Sequence, residues 1–500
     1  MRIGMKTRTL LALITAAVML GVSLETAQAQ LPAEEIDKLL AFDGAPSDAF
    51  GVSVAVDGDV AVIGACSDDD NGNNSGSAYI FRRDDNGTPG NLRDDSWVHE
   101  YKLLAPDGEI NDTFGWSVGV SGDTIVVGAP GDSDAGTMTG SAYVFRHTDG
   151  SWSLDTKLLK PGMAGADCFG WSVAISGETI VVGVPGDDTA ANGAGAAWVF
   201  DGPSWFAVAT LLASDGVAWE HFGEAVAIDG DAIVVGSARH SHSGVACGSA
   251  YVFRGPPWIQ EDELLPPGGE EDDFFGMSVD ISNDTVLVGA AYHIEGDQGF
   301  ESGAAYVFRF DVNTGMWPHE ATLVEWDGWG GHGQHDFFGL SVAVYAHEDH
   351  AGVYGDAALI GAPGDADNGM LSGAAYVFRR DDNGTPGNPG DDFWLGVKKL
   401  FPSVLGPGDE FGHAVALSSD TGLIGATGDS ENGPLSGSAY AFVPCVGDCD
   451  GDADTDQGDL GCLLADWGCT GGNCVGDLDG DGDTDHADLG ALLANWGCGT

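Results

Sequence analysis

One short phrase recurs seven times along this chain, and that recurrence restricts the fold more than any other feature. Each copy opens on Phe-Gly, at Phe50, Phe114, Phe169, Phe222, Phe275, Phe338 and Phe411. A β run and a Gly-Ala-Pro-like corner follow. Each copy then closes on Gly-x-Ala-Tyr-Val-Phe or a variant, ending at Phe81, Phe145, Phe200, Phe253, Phe308, Phe378 and Phe442. Units of this size need neighbours to bury their apolar faces. In the copy from Phe114, residues 114–120 alternate apolar with small or polar, and Ser121-Gly-Asp123 is a turn. Thr124 to Ala129 is a nearly continuous apolar run, and Ser141 to Arg146 and Trp152 to Leu159 supply two more strands. Four antiparallel strands joined by short loops make one propeller blade.

Six copies carry a fourth strand, marked by Lys102-Leu-Leu104, Lys157-Leu-Leu159, Thr210-Leu-Leu212, Glu263-Leu-Leu265, Thr322-Leu-Val324 and Lys399-Leu-Phe401. The seventh has none, but Lys38-Leu39-Leu40 stands ahead of the first Phe-Gly. The chain is therefore expected to be all-β: a seven-bladed β-propeller over 31–444, closed by its own N-terminal strand. Closure removes the two exposed sheet edges of an open array.

There are 78 acidic and 18 basic residues, a formal charge of −60. Nucleic acid and anionic membranes require Lys and Arg, so neither is expected as a partner. Two readings of the acid excess stay open: a surface suited to high ionic strength, and calcium held in the propeller loops. Residues 1–29 read as a signal peptide, with Arg2, Lys6 and Arg8, an apolar run from Leu10 to Leu24, and Ala27-Gln-Ala29 as cleavage site. A secreted or cell-surface protein without a membrane span is expected. Nine cysteines in an exported chain permit disulfides, and six of them lie within 445–500.

The repeats resemble the FG-GAP family of the integrin α-subunit propeller, over Ile36 to Val443. The resemblance implies a seven-bladed ring that binds ligands on one face. In integrins, several turns between the first two strands also hold calcium. The matching turns here are Asp57-Gly-Asp59, Ser121-Gly-Asp123, Ser176-Gly-Glu178, Asp229-Gly-Asp231 and Ser282-Asn-Asp284, which offer too few oxygens for that ion. The remaining acids fall between second and third strands, in Asp68–Asn74, Gly131–Asp134, Gly186–Asp188, Gly364–Asn368 and Gly428–Asn432. They read foremost as turn formers on one rim, and as the first place to seek a binding face. His332, His335, His347 and His350 lie close enough to acids in blade 6 to bind a transition metal, but they, with His240 and His242 in blade 4, read first as solvated loop residues.

Residues 445–500 hold a tighter repeat, offset by 29 residues from Gly447 to Gly476. Acids fall at EF-hand-like ligand positions: Asp448, Asp450, Asp452, Asp456 and Asp459, with Asp454 at the carbonyl position. The second copy supplies Asp477, Asp479, Asp481, Asp485 and Asp488, with Asp483 at the carbonyl position. Two Ca2+ ions are expected there. A helix is expected after each loop, with Leu460, Leu463, Leu464 and Trp467 on one face and Leu489, Leu492, Leu493 and Trp496 on the other. The segment resembles a type I dockerin, which implies attachment to a cohesin-like or cell-surface scaffold partner. Family recognition leans on loop positions 10 and 11, where this chain has Gln457-Gly458 and His486-Ala487.

The function expected is a secreted, non-catalytic binding or adhesion protein. Its propeller would face a glycan or protein ligand, and its tail would dock in calcium. No nucleophile elbow or zinc motif is present, and no catalytic residue is named. The alternative is a dockerin-bearing polysaccharide hydrolase or lyase.

Overall fold

The computed structural model describes residues 32–87, 92–162, 164–241, 247–294, 302–326, 335–346, 356–381 and 392–444, with 455, 457–467, 469, 484, 489 and 492–493 of the tail. The expected signal peptide lies outside these residues. Strand β1 (Pro32–Leu39) precedes blade 1, which is β2 (Phe50–Asp57), β3 (Val60–Ala65), β4 (Ser77–Asp84) and β5 (Ser96–Leu103). Blade 2 is β6 (Ser117–Ser121), β7 (Thr124–Ala129), β8 (Ser141–Thr148) and β9 (Ser151–Leu158). Blade 3 is β10 (Val173–Ser176), β11 (Thr179–Val184), β12 (Ala196–Asp201) and β13 (Phe206–Leu211). Blade 4 is β14 (Val226–Asp229), β15 (Ala232–Ser237), β16 (Ser249–Arg254) and β17 (Ile259–Leu264). Blade 5 is β18 (Ser278–Ser282), β19 (Thr285–Ala290), β20 (Ala304–Arg309) and β21 (His319–Leu323). Blade 6 is β22 (Ser341–Tyr345), β23 (Ala357–Ala362), β24 (Ala374–Asp381) and β25 (Phe393–Leu400). Blade 7 is β26 (Phe411–Leu417), β27 (Gly422–Ala426) and β28 (Ser438–Pro444), with β1 as its outer strand.

All seven sheets have four antiparallel strands. The second strand of each is apolar and buried throughout, as in Thr124–Ala129. The fourth is mostly exposed or half-buried and buries its terminal leucine, as in β9, because it is the outer strand of its sheet. The seven cores form between blades rather than within them. One joins Val62 and Ile80 of blade 1 to Phe114 and Tyr143 of blade 2. The core at the seam joins Leu39, Leu423 and Ala441 to Phe50 and Tyr79. The Phe of each Phe-Gly packs edge-on against the next closing motif, with ring centroids 5.3 Å apart for Phe114 and Tyr143.

Backbone bridges link the blades as well. Phe114 pairs in parallel with Gly76 of the preceding blade, the same bridge recurs round the ring, and Phe50 with Gly437 closes it. Ser117 Oγ donates to the Gly170 carbonyl at 3.0 Å, and Ser53, Ser172, Ser278 and Ser341 make the same link.

In the tail one helix is described, α1 (Gln457–Asp466). Leu463 and Leu492, 29 residues apart, are both fully buried. Leu464 and Leu493 are 56% and 57% exposed and Trp467 39%, so the expected apolar face narrows to buried Leu463 and Leu492, with Leu460 and Leu489 half-buried. Cys462 and Cys469 are disulfide-bonded, while Cys66 and Cys168 carry thiols.

Candidate functional site

Strand register brings one set of side chains together at the corner of each blade. In blade 2 the chain leaves β7 through Pro130-Gly131, and Asp132 turns inward to 2% exposure. Tyr143 and Lys157 are direct cross-strand partners on β8 and β9. Tyr143 Oη donates to Asp132 at 3.1 Å and to Asp107 at 2.8 Å, and Ser141 Oγ donates to Asp132 at 2.7 Å. Lys157 Nζ lies 2.7 Å from Asp132 and 2.8 Å from both Asp107 and Asp134. Burial alone would raise the Asp132 pKa, but Lys157 and the hydroxyl donors hold it below the ordinary carboxylate value. Burial would likewise lower Lys157, and its three acids raise it instead.

Blade 1 repeats the cluster with Asp68, Tyr79 and Lys102, and blade 6 with Asp365, Tyr376 and Lys399. In blade 7 the acid and tyrosine are Asp429 and Tyr440, but the lysine is Lys38, carried in by β1. Blade 3 has Thr210 at the lysine position, and Lys160 replaces it from the loop that leads into the blade, 2.5 Å from Asp187 and 3.0 Å from Asp167. These inward acids form the turns expected of them, each accepting the N–H two residues on, as Asp132 does from Asp134 at 2.9 Å, and they anchor the corner as well. Only the acids after them, such as Asp134 and Asp367, face solvent.

A second acid stands two residues before each Phe-Gly. Asp48, Asp112, Asp167, Asp273 and Asp409, and Glu220 in blade 4, each accept the backbone N–H three residues earlier, at 2.6–2.8 Å. The residue between acid and Phe is left-handed in every blade, from φ 54 at Phe274 to φ 57 at His221 and Phe337. Burial pushes Asp48 up to about 6, and burial with Asp365 close by does the same to Asp336. Asp336 with Glu325 and Asp365 forms a carboxyl trio in blade 6, each at most 8% exposed, with Lys399 2.6 Å from Asp365.

On the opposite face the first-to-second-strand turns are held by arginines. Asp59 meets Arg83 at 2.7 Å, Asp231 meets Arg254 at 2.7 Å and Asp284 meets Arg309 at 2.8 Å. Asp57 and Asp229 accept backbone N–H groups of the next blade, from Gly122 and Asn283, at 2.6 and 2.7 Å. Their oxygens stitch the ring.

The opposed pKa shifts give the propeller a stability maximum on the acid side of neutral. Asp48, Asp336, Asp280 and Glu320 are raised by burial, to about 6, 6, 7 and 7. Their protonation favours the fold, so that contribution is complete below the unfolded value near ~4 and is lost as pH rises through 6 to 7. Asp132, Asp187 and Asp429 are lowered, so their contribution is present above ~4 and is lost as pH falls below it. Thermal unfolding followed by circular dichroism should peak at roughly pH 4.5–5.5, and falling charge repulsion adds in the same direction. A melting temperature that rises steadily from pH 5 to 8 would contradict this balance.

Of the twelve tail acids named from sequence, Asp459 is described: it lies in the first turn of α1 and is fully buried. Asp448, Asp450, Asp452, Asp454, Asp456, Asp477, Asp479, Asp481, Asp483, Asp485 and Asp488 lie outside the described residues. So do His242, His332, His347 and His350. His240 is described, and it is buried to 4% rather than solvated. The pre-Phe acid and the lysine opposite the closing tyrosine were missed as members of one cluster, though both recur with the repeat and could have been read from it.

A family model described as FG-GAP repeat matches residues 34–81, 97–145, 152–200, 205–253, 258–308, 317–378 and 394–442. No curated protein matches the chain.

Proposed function

This chain belongs to the FG-GAP repeat family, and from that premise we propose a secreted, non-catalytic binding protein whose propeller rim holds a glycan or protein ligand and whose tail is a calcium-dependent docking module. One observation carries the rim reading. In blades 1, 2, 6 and 7 the loop after the corner acid presents a residue in left-handed conformation, just before a Ser-Gly or Thr-Gly pair. Asn74 occupies it in blade 1, but Met138, Leu371 and Leu435 occupy it elsewhere, with φ 51, 56 and 57. Their exposures are 47%, 37% and 54%. A bulky apolar side chain gains nothing from such a conformation, which favours Gly or Asn, nor from contact with water. A constant scaffold that varies the exposed tip is what recognition by rigid loops requires.

The triple substitution Met138→Asn, Leu371→Asn and Leu435→Asn should leave the melting temperature unchanged or higher. Binding on a glycan array, or to proteins of the source's envelope fraction, should fall at least tenfold. Unchanged binding would sink the rim reading. A reducing-sugar release assay on the same glycans tests the hydrolase or lyase alternative, and turnover abolished by a single Asp substitution would establish it.

The tail reading rests on fit. Asp459 is fully buried in a segment that contains no Lys or Arg, and Thr455 Oγ1 is buried with no partner among the described residues. An acid-only segment folds when a cation balances it. Calcium would be held in the first loop by Asp459 with Asp448, Asp450, Asp452, Asp456 and the carbonyl of Asp454, and in the second by Asp477, Asp479, Asp481, Asp485, Asp488 and the carbonyl of Asp483; exposed Leu464, Leu493 and Trp467 would form the docking surface. EDTA should make residues 445–500 protease-sensitive while the propeller's thermal transition stays. An isolated tail that captures nothing above an EDTA control from envelope fractions would remove the docking claim.

A further inference from the structure

Blade 4 reverses the chemistry of the corner cluster. His240 stands where blade 2 has Asp132, and Glu263 stands opposite Tyr251 where blade 2 has Lys157 opposite Tyr143. The other acids are kept as Asp215 and Glu220. Three carboxylates therefore surround one imidazole, and the lysine that answers them in blades 1, 2, 6 and 7 is gone. His240 Nε2 lies 3.5 Å from Asp215 and 3.6 Å from Glu263, while its Nδ1 lies 3.0 Å from Glu220. The His240 side chain is 5% exposed, yet its Nδ1 makes no hydrogen bond among the described residues. The facing Glu220 Oε1 is likewise a buried polar atom left without one.

We propose that this corner is a binding site for a divalent transition-metal ion, with His240 Nε2, Asp215 and Glu263 as ligands. One donor atom from each lies within 4.8 Å of the others. Metal–ligand bonds of ~2.0–2.2 Å at tetrahedral angles set donors about 3.4 Å apart, close to the separations from Nε2. Glu220 is the positioning residue, since a carboxylate on Nδ1 fixes the tautomer that turns Nε2 to the ion. Tyr251 Oη donates to Asp215 at 3.0 Å and orients it. Asp215 is 44% exposed and Glu263 25%, which leaves a mouth for the ion and its water. An imidazole with two carboxylates suits zinc, cobalt or manganese better than calcium. In the blade 6 trio, by contrast, Lys399 sits 2.6 Å from Asp365.

The test uses the full-length protein with excess calcium to saturate the tail, Zn2+ in competition with a chromophoric chelator, and Co2+ as a spectroscopic probe. One Zn2+ per chain is expected, with a Co2+ absorption band of low-symmetry coordination and a higher melting temperature on loading. The double variant His240→Asp, Glu263→Lys restores the charge pattern of blade 2 and should fold while losing affinity by at least ~100-fold. Glu220→Gln should lose about tenfold. His240→Gln gives a second reading of the ligand should the double variant fail to fold. Absence of zinc binding by the wild type, or unchanged affinity in His240→Gln or the double variant, would overturn the site.

Discussion

A variant lacking residues 31–41 should have no cooperative thermal transition, or one lowered by far more than an equal cut from a loop would produce. The deletion removes Leu39, 2% exposed, and Ala41, 3% exposed, from the seam core. It strips β28 of its partner along a register from Pro32 with Pro444 to Leu39 with Ala439. It also takes away Lys38, whose Nζ lies 2.8 Å from Asp429 and 2.7 Å from Glu431. Burial of one such leucine is worth ~2–3 kcal/mol, and orphaning a buried acid costs ~3–5 kcal/mol before the partial exposure of Lys38 is discounted. Together these reach ~5–8 kcal/mol, comparable with the lower end of an ordinary domain's whole stability of ~5–15 kcal/mol. The milder Lys38→Ala should cost about 2 kcal/mol, much as Lys157→Ala would in blade 2. A synthetic peptide of residues 31–41 added in trans should restore the transition, which separates loss of closure from general misfolding. A deletion variant that melts within a few degrees of the wild type would show that β1 is dispensable.

Alanine at Gly128 should destabilise the propeller by more than ~3 kcal/mol, although a methyl group is the smallest possible addition. The new Cβ would lie 2.1 Å from the Gly170 carbonyl oxygen and 2.3 Å from Ser117 Oγ. The carbonyl belongs to the backbone of the next blade and already accepts the Ser117 hydroxyl, so it cannot swing aside. The same glycine recurs at 64, 183, 236, 289, 361 and 425, with clashes of 1.9–2.1 Å against the following blade. In an open array one blade can back away from its neighbour, whereas a closed ring passes the displacement to all seven. Gly122→Ala is the control: its Cβ meets nothing within 4 Å, and its φ of +53 costs only ~1 kcal/mol. Equal costs for the two substitutions would refute the close-approach argument.

The glycine case shows how far the primary structure can be read. The repeat makes Gly128 recur, but only the packing of adjacent blades says that it recurs for clearance rather than for turning. The corner acids follow the same pattern. Asp132 and Asp134 look alike in the chain, and both read as turn residues. Register alone sends the first inward to Tyr143 and Lys157 and leaves the second in water. His240 was read as solvated because nothing nearby in sequence marks it; its acids come from 20 or more residues away in both directions.

Blade number, strand order, the turns and the return of the N-terminal strand to blade 7 all follow from local pattern and from the count of fourth strands, because strand periodicity and turn residues are short-range signals. Charge pairing does not, since it depends on which side chains face each other across strands and loops far apart in the chain. The folded ring therefore decides which acids among the 78 are neutralised within a blade, which stitch one blade to the next, and which are left facing outward.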